Sequence, residues 1–393
     1  MNTNEILKPE IQNYIYEKTG ADISKLAFQK NPFPEIDFKI ILNQIESRTK
    51  SKEKLPTWFK SKNILFPSKI SVEQTSSETT AQYKSEIVSG ESLIDLSGGF
   101  GVDDYYFSKK VKHLIHCEIN EELSKIVAHN FDVLNCENAK CISGDSSEIL
   151  ENLDQKFDWI YIDPSRRNDA KGKVFMLKDC LPNVPDLQDF YFKFSNNILI
   201  KTAPILDITA GLSELKNVKK IHIVAVENEV KELLWEIEND FQNDIIIKTI
   251  NFNKDKKEVF EFEFHSHREP SFALPKKYLF EPNSAIMKSG GFSEISIQFN
   301  IDKLHQHSHL YTSELELIDF PGRQFQVEKI IDYSKKEMTA NFANQKANIT
   351  TRNFPETVET IRKKWKIKDG GNLYCFFTTD INENKIVLLC TKI

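Results

Sequence analysis

Ser92-Leu93-Ile94-Asp95-Leu96-Ser97-Gly98-Gly99-Phe100-Gly101-Val102-Asp103 decides the fold of this 393-residue chain. A short apolar run enters a glycine turn and a helix leaves it, so the stretch reads as strand, turn, helix. Glycine there lets the backbone come against a ligand where a Cβ would clash, and it tolerates the positive φ of a tight turn. Taken alone, such turns serve many nucleotide sites and some serve none.

Working outward from the turn, short apolar runs at 92–96, 113–118, 140–143, 159–163, 197–201, 221–226, 245–250 and 259–264 alternate with helical segments. One of these is amphipathic through Leu123, Ile126, Val127, Phe131 and Leu134, with Asn130 as a polar interruption. Such alternation predicts an α/β fold with a mostly parallel sheet covered by helices on both faces. The last two runs are too close for a helical crossover and should pair as an antiparallel hairpin. Before the turn, the first ~55 residues show helical spacing broken by Pro32 and Pro34, and Pro56 and Pro67 frame an irregular connection through Trp58, Phe59 and Phe66, so that 1–70 reads as a helical cap region. A helix is expected from Ser76 to Val88, capped by Ser76 or Ser77. Pro270 and Pro275 enclose a linker, and 373–379 with 385–392 form a terminal hairpin.

An acid stands at the carboxyl end of each successive strand, where open α/β sheets place their ligands. Glu118 follows Asp95 by 23 residues, suited to two ribose hydroxyls. Asp145, beside Ser146, is placed to accept from an adenine amine. Asp163 opens Asp163-Pro164-Ser165-Arg166-Arg167 and faces the place where chemistry would occur. A single strand-end acid is usually a turn or cap residue; four in register with a glycine turn form a pattern.

That pattern resembles the class I S-adenosylmethionine-dependent methyltransferases, whose fold is a Rossmann-like seven-stranded sheet. Asp95, Gly99 and Gly101 fall on their Asp-x-Gly-x-Gly-x-Gly pattern, with Ser97 where its first glycine stands. The resemblance implies S-adenosylmethionine as cofactor, its methionine part at the turn (Asp95, Ser97, Gly99, Gly101), its ribose at Glu118 and its adenine at Asp145 and Ser146. The whole chain resembles a bacterial group of uncharacterised methyltransferases with a ferredoxin-like insert and a C-terminal THUMP-like domain. The stretches that carry this are 73–84, 98–103, 163–167, Glu281-Pro282-Asn283 and 348–355. The expected division is a helical region at 1–70, a cofactor domain at 71–268, a small ferredoxin-like α+β segment at 272–320 and a THUMP-like domain at 321–393. THUMP domains bind RNA, so the resemblance implies an RNA substrate, rRNA or tRNA.

Asp163-Pro164-Ser165-Arg166 resembles two nucleic-acid methyltransferase motifs. In Asp-Pro-Pro-Tyr enzymes the acid and a proline carbonyl hold an exocyclic amine while the aromatic stacks the base; here Arg166 stands at the aromatic position, and a guanidinium plane can stack. Asp-Pro-Pro-Arg enzymes methylate pyrimidine carbon 5 and need a cysteine at the end of the next strand. That strand reads Ile198-Leu199-Ile200-Lys201-Thr202, without one, so a base nitrogen is the expected acceptor. Lys201 is open to two readings, a phosphate contact or a carboxylate partner at the sheet. Arg166 and Arg167 are read as phosphate contacts, with pairing to nearby acids as the alternative.

Composition sets the partners. The net charge is −6, yet residues 321–393 carry 13 Lys and Arg against 8 Asp and Glu, a basic tail that suits a polyanion or is an ordinary solvated surface. Within it Arg362-Lys363-Lys364-Trp365-Lys366-Ile367-Lys368 combines cations with a stacking surface, while its spacing equally fits an amphipathic helix with Ile361, Trp365 and Ile367 inward. Arg352 and Asn353 are further candidates for gripping RNA. Six cysteines lack a paired spacing, His305, His307 and His309 read as a polar loop, and no metal is expected. No apolar stretch reaches a membrane span and the first twenty residues lack an apolar leader core, so a cytoplasmic protein is expected. A small-molecule methyltransferase and a non-catalytic RNA-binding protein that keeps the cofactor fold are the competing readings.

Overall fold

The computed structural model describes residues 3–67, 69–166, 176–254, 256–266, 268–342 and 345–393. The chain divides into two units, Met1–Lys219 with Leu234–Gln242, and Lys220–Leu233 with Asn243–Ile393.

In the first unit, β1 (Ser92–Asp95), β2 (His113–Glu118), β3 (Ala139–Ser143), β4 (Trp159–Ile162) and β7 (Asn197–Thr202) form a parallel sheet in the order β7-β4-β1-β2-β3. All four side chains of β4 are buried, as are Leu93, Ile94 and Asp95 of β1, the signature of a parallel sheet covered on both faces. A separate pair, β5 (Ser165–Arg166) and β6 (Cys180–Leu181), runs antiparallel just beyond β4. The order places β1 at the centre, where the chain switches direction across the sheet, and so sets the glycine turn at the crevice such sheets offer to ligands.

The polar interruption at Asn130 has a physical reason. It lies on the helix Glu121–Val133, 1% exposed, and clamps Leu65 through both backbone groups: Leu65 N–H donates to Asn130 Oδ1 at 2.9 Å and Asn130 Nδ2 donates to the Leu65 carbonyl at 2.8 Å. Around this clamp Trp58, Leu65 and Phe66 share one core with Phe100, Val127 and Phe131. Asn130→Ala strands two buried backbone groups, each worth about 1–3 kcal/mol; we expect a loss of about 3 kcal/mol in urea unfolding. The connection read as irregular contains a helix, Pro56–Lys60, because proline is tolerated at its first position. The helix read at 76–88 spans Glu78–Ser85, with the Ser77 side chain accepting from Thr80 N–H at 3.2 Å.

The sequence reading places a helical crossover between the runs at 221–226 and 245–250. The structure corrects this: β8 (Val218–Val226) turns back into β9 (Glu229–Glu238). Glu227 and Asn228 take φ of 50° and 61°, the two positive values of a tight hairpin turn matched to strand twist. Leu234–Glu238 continues the first unit's sheet beside β7. In the second unit β10 (Ile246–Phe252) runs parallel to β8, and β11 (Lys257–Glu263) pairs antiparallel with β10 as expected.

The remainder of the second unit is a seven-stranded sheet in the order β13-β14-β12-β15-β18-β17-β16, built from β12 (Tyr278–Pro282), β13 (Asp302–Lys303), β14 (Tyr311–Ser313), β15 (Gly322–Asp332), β16 (Asn348–Arg352), β17 (Tyr374–Thr379) and β18 (Lys385–Lys392). β17 and β18 are the expected terminal hairpin. Because β12 pairs with β15, the two small C-terminal segments share this one sheet.

Candidate active site

Each glycine of the turn is fixed by a different contact. A Cβ on Gly98 would come within 2.1 Å of the His116 ring, and one on Gly101, at φ 72°, within 2.7 Å of Val127. Gly99, at φ 56°, faces open space, with only the Ser97 carbonyl within 4 Å, at 3.7 Å. Its N–H donates to Glu118 Oε2 at 3.0 Å, and Asn120 N–H donates to Glu118 Oε1 at 2.8 Å. The Glu118 carboxylate is therefore oriented by backbone amides and keeps lone pairs for further donors.

Ser97, at the position of the missing first glycine, is the joint of the site. Its Oγ donates to Asp95 Oδ1 at 2.9 Å and accepts the Asp163 N–H at 2.6 Å. Asp95 itself is 2% exposed and also accepts Ser97 N–H at 2.7 Å; it holds the turn from beneath. Asp145 is exposed and caps the helix Ser146–Leu153, its Oδ1 accepting from Ser147 and Glu148 N–H. Ser146 opens that helix, half-buried.

At the acceptor end, Asp163 and Pro164 are half-buried and Ser165 is exposed. Lys201 pairs with Asp163 Oδ2, so of its two readings the structure shows a carboxylate partner, and that carboxylate is Asp163. Ser165 Oγ donates to the Leu181 carbonyl at 3.4 Å. Arg167 and the side chain of Arg166 lie outside the described residues. Cys180 stands opposite Arg166 in the β5–β6 register, but it is fully buried, its thiol toward the Met176 carbonyl.

A buried network around Asp103, to which the sequence reading gives no role, supports this end. Asp103 accepts from Ser76 Oγ at 2.9 Å and Tyr161 Oη at 2.8 Å, and the fully buried Lys84 lies 3.1 Å from it. Burial would raise the Asp103 pKa; Lys84, Lys201 and these donors outweigh it and hold it low. Lys84, Asp103, Lys201 and Asp163 thus alternate in sign from the interior to the Asp163-Pro164 stretch. Beneath the turn, Asp104 Oδ2 and His116 Nδ1 are 2.5 Å apart, both side chains fully buried. Burial, and then the charge of Asp103, raises the Asp104 pKa well above the usual range, while burial lowers that of His116. Asp95 is likewise raised, by burial and then by the charge of Asp104. Ile119 is a further omission: it is 77% exposed directly after Glu118, an apolar surface at the strand end whose exposure no periodicity signals.

In the C-terminal unit, Arg352 Nη2 donates to Glu281 Oε1 at 3.0 Å. The basic segment forms an amphipathic helix, Val358–Trp365, with Ile361 and the following Ile367 buried. Trp365 is half-buried and donates from Nε1 to Tyr333 Oη at 3.0 Å, Lys364 pairs with Glu356 at 2.9 Å, and Lys363 is exposed. His305 lies 2.9 Å from Glu383. Among the described residues no helix is long and apolar enough to cross a membrane.

Residues 278–321 match a ferredoxin-like domain family and residues 322–392 a THUMP domain-like family. A solved structure from Porphyromonas gingivalis W83, described as a "putative methyltransferase", is 30% identical and superposes with a TM-score of 0.89, covering 100% of this chain and 99% of that one. An uncharacterised RNA methyltransferase of Clostridium acetobutylicum is 30% identical over 99 residues, which span 24% of this chain and 22% of that protein.

Proposed function

This chain belongs to the bacterial methyltransferase family in which a ferredoxin-like and a THUMP-like domain follow the cofactor domain, and from that membership we propose that it transfers a methyl group from S-adenosylmethionine to a base nitrogen of RNA, rRNA or tRNA. The observation that carries the reading is the Ser97 joint, which ties the glycine turn and the acceptor motif into one hydrogen-bonded unit.

The residues fit the cofactor. The open space on the Cβ side of Gly99 lets a methionine moiety approach its backbone closely, with Ser97 and Gly101 flanking it, and Asp95 holds the turn in shape. Glu118, pre-oriented by two amides, accepts from the ribose hydroxyls. Asp145 and Ser146 receive the adenine amine, and the exposed Ile119 offers its edge an apolar contact. Bound there, S-adenosylmethionine supplies a methyl group on a positively charged sulfur.

Asp163 and the Pro164 carbonyl accept the N–H groups of an exocyclic amine, which aims the nitrogen lone pair at the methyl carbon. With S-adenosylmethionine held there, its sulfonium would supply the methyl group to this nitrogen, and the amine proton would be free to pass to water. Most of the gain comes from holding the reacting atoms about 3 to 3.5 Å apart in line. Lys201 engages one Asp163 oxygen and so limits how the carboxylate can rotate. Ser165 lines the same edge, and Arg166 stacks on the extruded base. Arg167, Arg352, Lys363, Lys364 and Trp365 are the proposed RNA contacts; the THUMP domain-like match and the RNA methyltransferase relative support an RNA substrate.

Glu118→Ala removes the ribose acceptor and leaves Gly99 N–H without its partner. Two charge-assisted hydrogen bonds correspond to about 3 kcal/mol, so S-adenosylhomocysteine affinity falls about a hundredfold in calorimetric titration. Nucleoside analysis of methylated RNA tests the acceptor: the methyl is expected on a base nitrogen, and a 5-methylpyrimidine would overturn that assignment.

A further inference from the structure

Lys303 is 4% exposed, yet no carboxylate pairs with it among the described residues. It donates to the Gln306 carbonyl at 3.1 Å and otherwise lies 6.0 and 5.8 Å from the ring centres of Phe272 and Phe292. Glu294 acts on it only at longer range and is engaged by Ser266 at 2.5 Å. A buried ammonium without a counter-charge is costly, and folded proteins normally pair one.

Two more groups with unmet hydrogen-bonding capacity lie in the same unit. His309 stacks on Phe292 at 3.6 Å, and its Nδ1 is buried without a partner. Its pKa is lowered to about 4, by burial first and then by Lys303, Arg352 and His307. Lys303 and Arg352 therefore both bear on His309. Arg352 gives Nη2 to Glu281 but keeps a buried Nε without an acceptor. Arg323 takes the other Glu281 oxygen, its Nε donating to Oε2 at 2.7 Å. One carboxylate thus serves two guanidiniums, while Glu294 and Glu383 are engaged by Ser266 and His305. The arginine side chains are 40% and 35% exposed, so the cluster is open to solvent on their side. Asn353 Nδ2 lies 2.9 Å from His305 Nδ1, which also accepts His307 N–H at 3.1 Å, fixing the loop that carries these residues.

We propose that Lys303, Arg352 and His309, with Arg323 at the rim, form an oxyanion pocket that receives a phosphate group of the RNA strand. The pocket joins the Glu281-Pro282-Asn283 stretch to the Arg352-Asn353 stretch, and its assignment to RNA rests on the function proposed above. A phosphate oxygen satisfies the Lys303 ammonium while the guanidinium edge of Arg352 supplies directed donors.

The test uses the full chain and its Lys303→Met and Arg352→Gln variants. In chloride, Lys303→Met is expected to melt higher than the wild type, because an unpaired buried charge is replaced by an apolar chain of similar length. Inorganic phosphate at matched ionic strength raises the wild-type melting temperature and leaves that of Lys303→Met unmoved. In fluorescence anisotropy with RNA, each variant binds roughly tenfold more weakly, with a salt slope smaller by about 1, while S-adenosylhomocysteine affinity is unchanged. Equal phosphate shifts in wild type and Lys303→Met, or unchanged RNA affinity and salt slope in both variants, overturn the pocket. A phosphate shift that Lys303→Met abolishes, in a wild type that binds no RNA, overturns the RNA assignment and assigns the pocket to free phosphate.

Discussion

Asp163→Asn lowers the rate of methyl transfer about a thousandfold and leaves S-adenosylhomocysteine affinity within a factor of a few. In the proposed reaction the carboxylate just after β4 offers negative charge and acceptor lone pairs to the incoming amine, whereas an amide carries no charge and presents donors at one of its two ends. Positioned groups that accept hydrogen-bond density from a reacting nucleophile contribute about 10²–10⁴-fold. The substitution also removes the carboxylate that Lys201 engages at this end. The turn should be unaffected, because Ser97 grips Asp163 through its backbone N–H, which asparagine keeps. Single-turnover transfer assays beside calorimetric titration separate the two quantities.

Lys84→Met destabilises the fold by about 4 kcal/mol in urea unfolding at neutral pH. Lys84 is fully buried and its partner Asp103 nearly so, and removing one member of such a pair leaves an uncompensated charge at a cost of about 3–5 kcal/mol. The effect is pH-dependent with a definite sign. The folded Asp103 pKa is depressed below the usual 3.8, since Lys84 and Lys201 overcome the opposing effect of burial. Its contribution is therefore complete above 3.8 and disappears as pH falls through the folded value. Wild type and variant should differ most near neutrality and converge below that range; a gap that widens on acidification contradicts the pairing. Because Lys201 links Asp103 to Asp163, methyl transfer should fall along with stability.

Neither Lys84 nor its partner announces itself in the sequence. The pair is 19 residues apart, on different helices, and a lysine near the end of a helix reads as solvated until the sheet brings Asp103 over it. The strands around the turn are legible because β1, β2 and β4 are short apolar runs bounded by polar residues, and burial on both faces demands that composition. β9 is not, because Glu229-Val230-Lys231-Glu232-Leu233-Leu234-Trp235-Glu236 is rich in good helix formers. What overrides that preference is non-local: Leu233, Leu234 and Trp235 are fully buried, and the Trp235 indole N–H donates to Thr202 Oγ1 at 3.0 Å. Asn130 shows the converse. Its polarity looks like a flaw in an apolar stripe until the Leu65 backbone, 65 residues earlier, fills it. Of the proposed site, the strand-end positions of Glu118 and Asp163 are legible in the sequence, whereas the hydrogen bond that ties Ser97 to Asp163, 66 positions away, is not.

The basic tail separates composition from geometry. Lys364 and Trp365 are engaged by Glu356 and Tyr333, so their first role is to order the helix they sit on, and exposed Lys363 is the better reporter of RNA contact in that segment. Lys363→Ala should reduce the salt slope of RNA binding by about 1 with little change in melting temperature.

The most direct test of the account incubates the full chain with methyl-labelled S-adenosylmethionine and RNA from a strain lacking the gene. Label in the RNA fraction that is lost in Asp163→Asn is the predicted result. Label confined to the small-molecule fraction, with none in RNA, would contradict it.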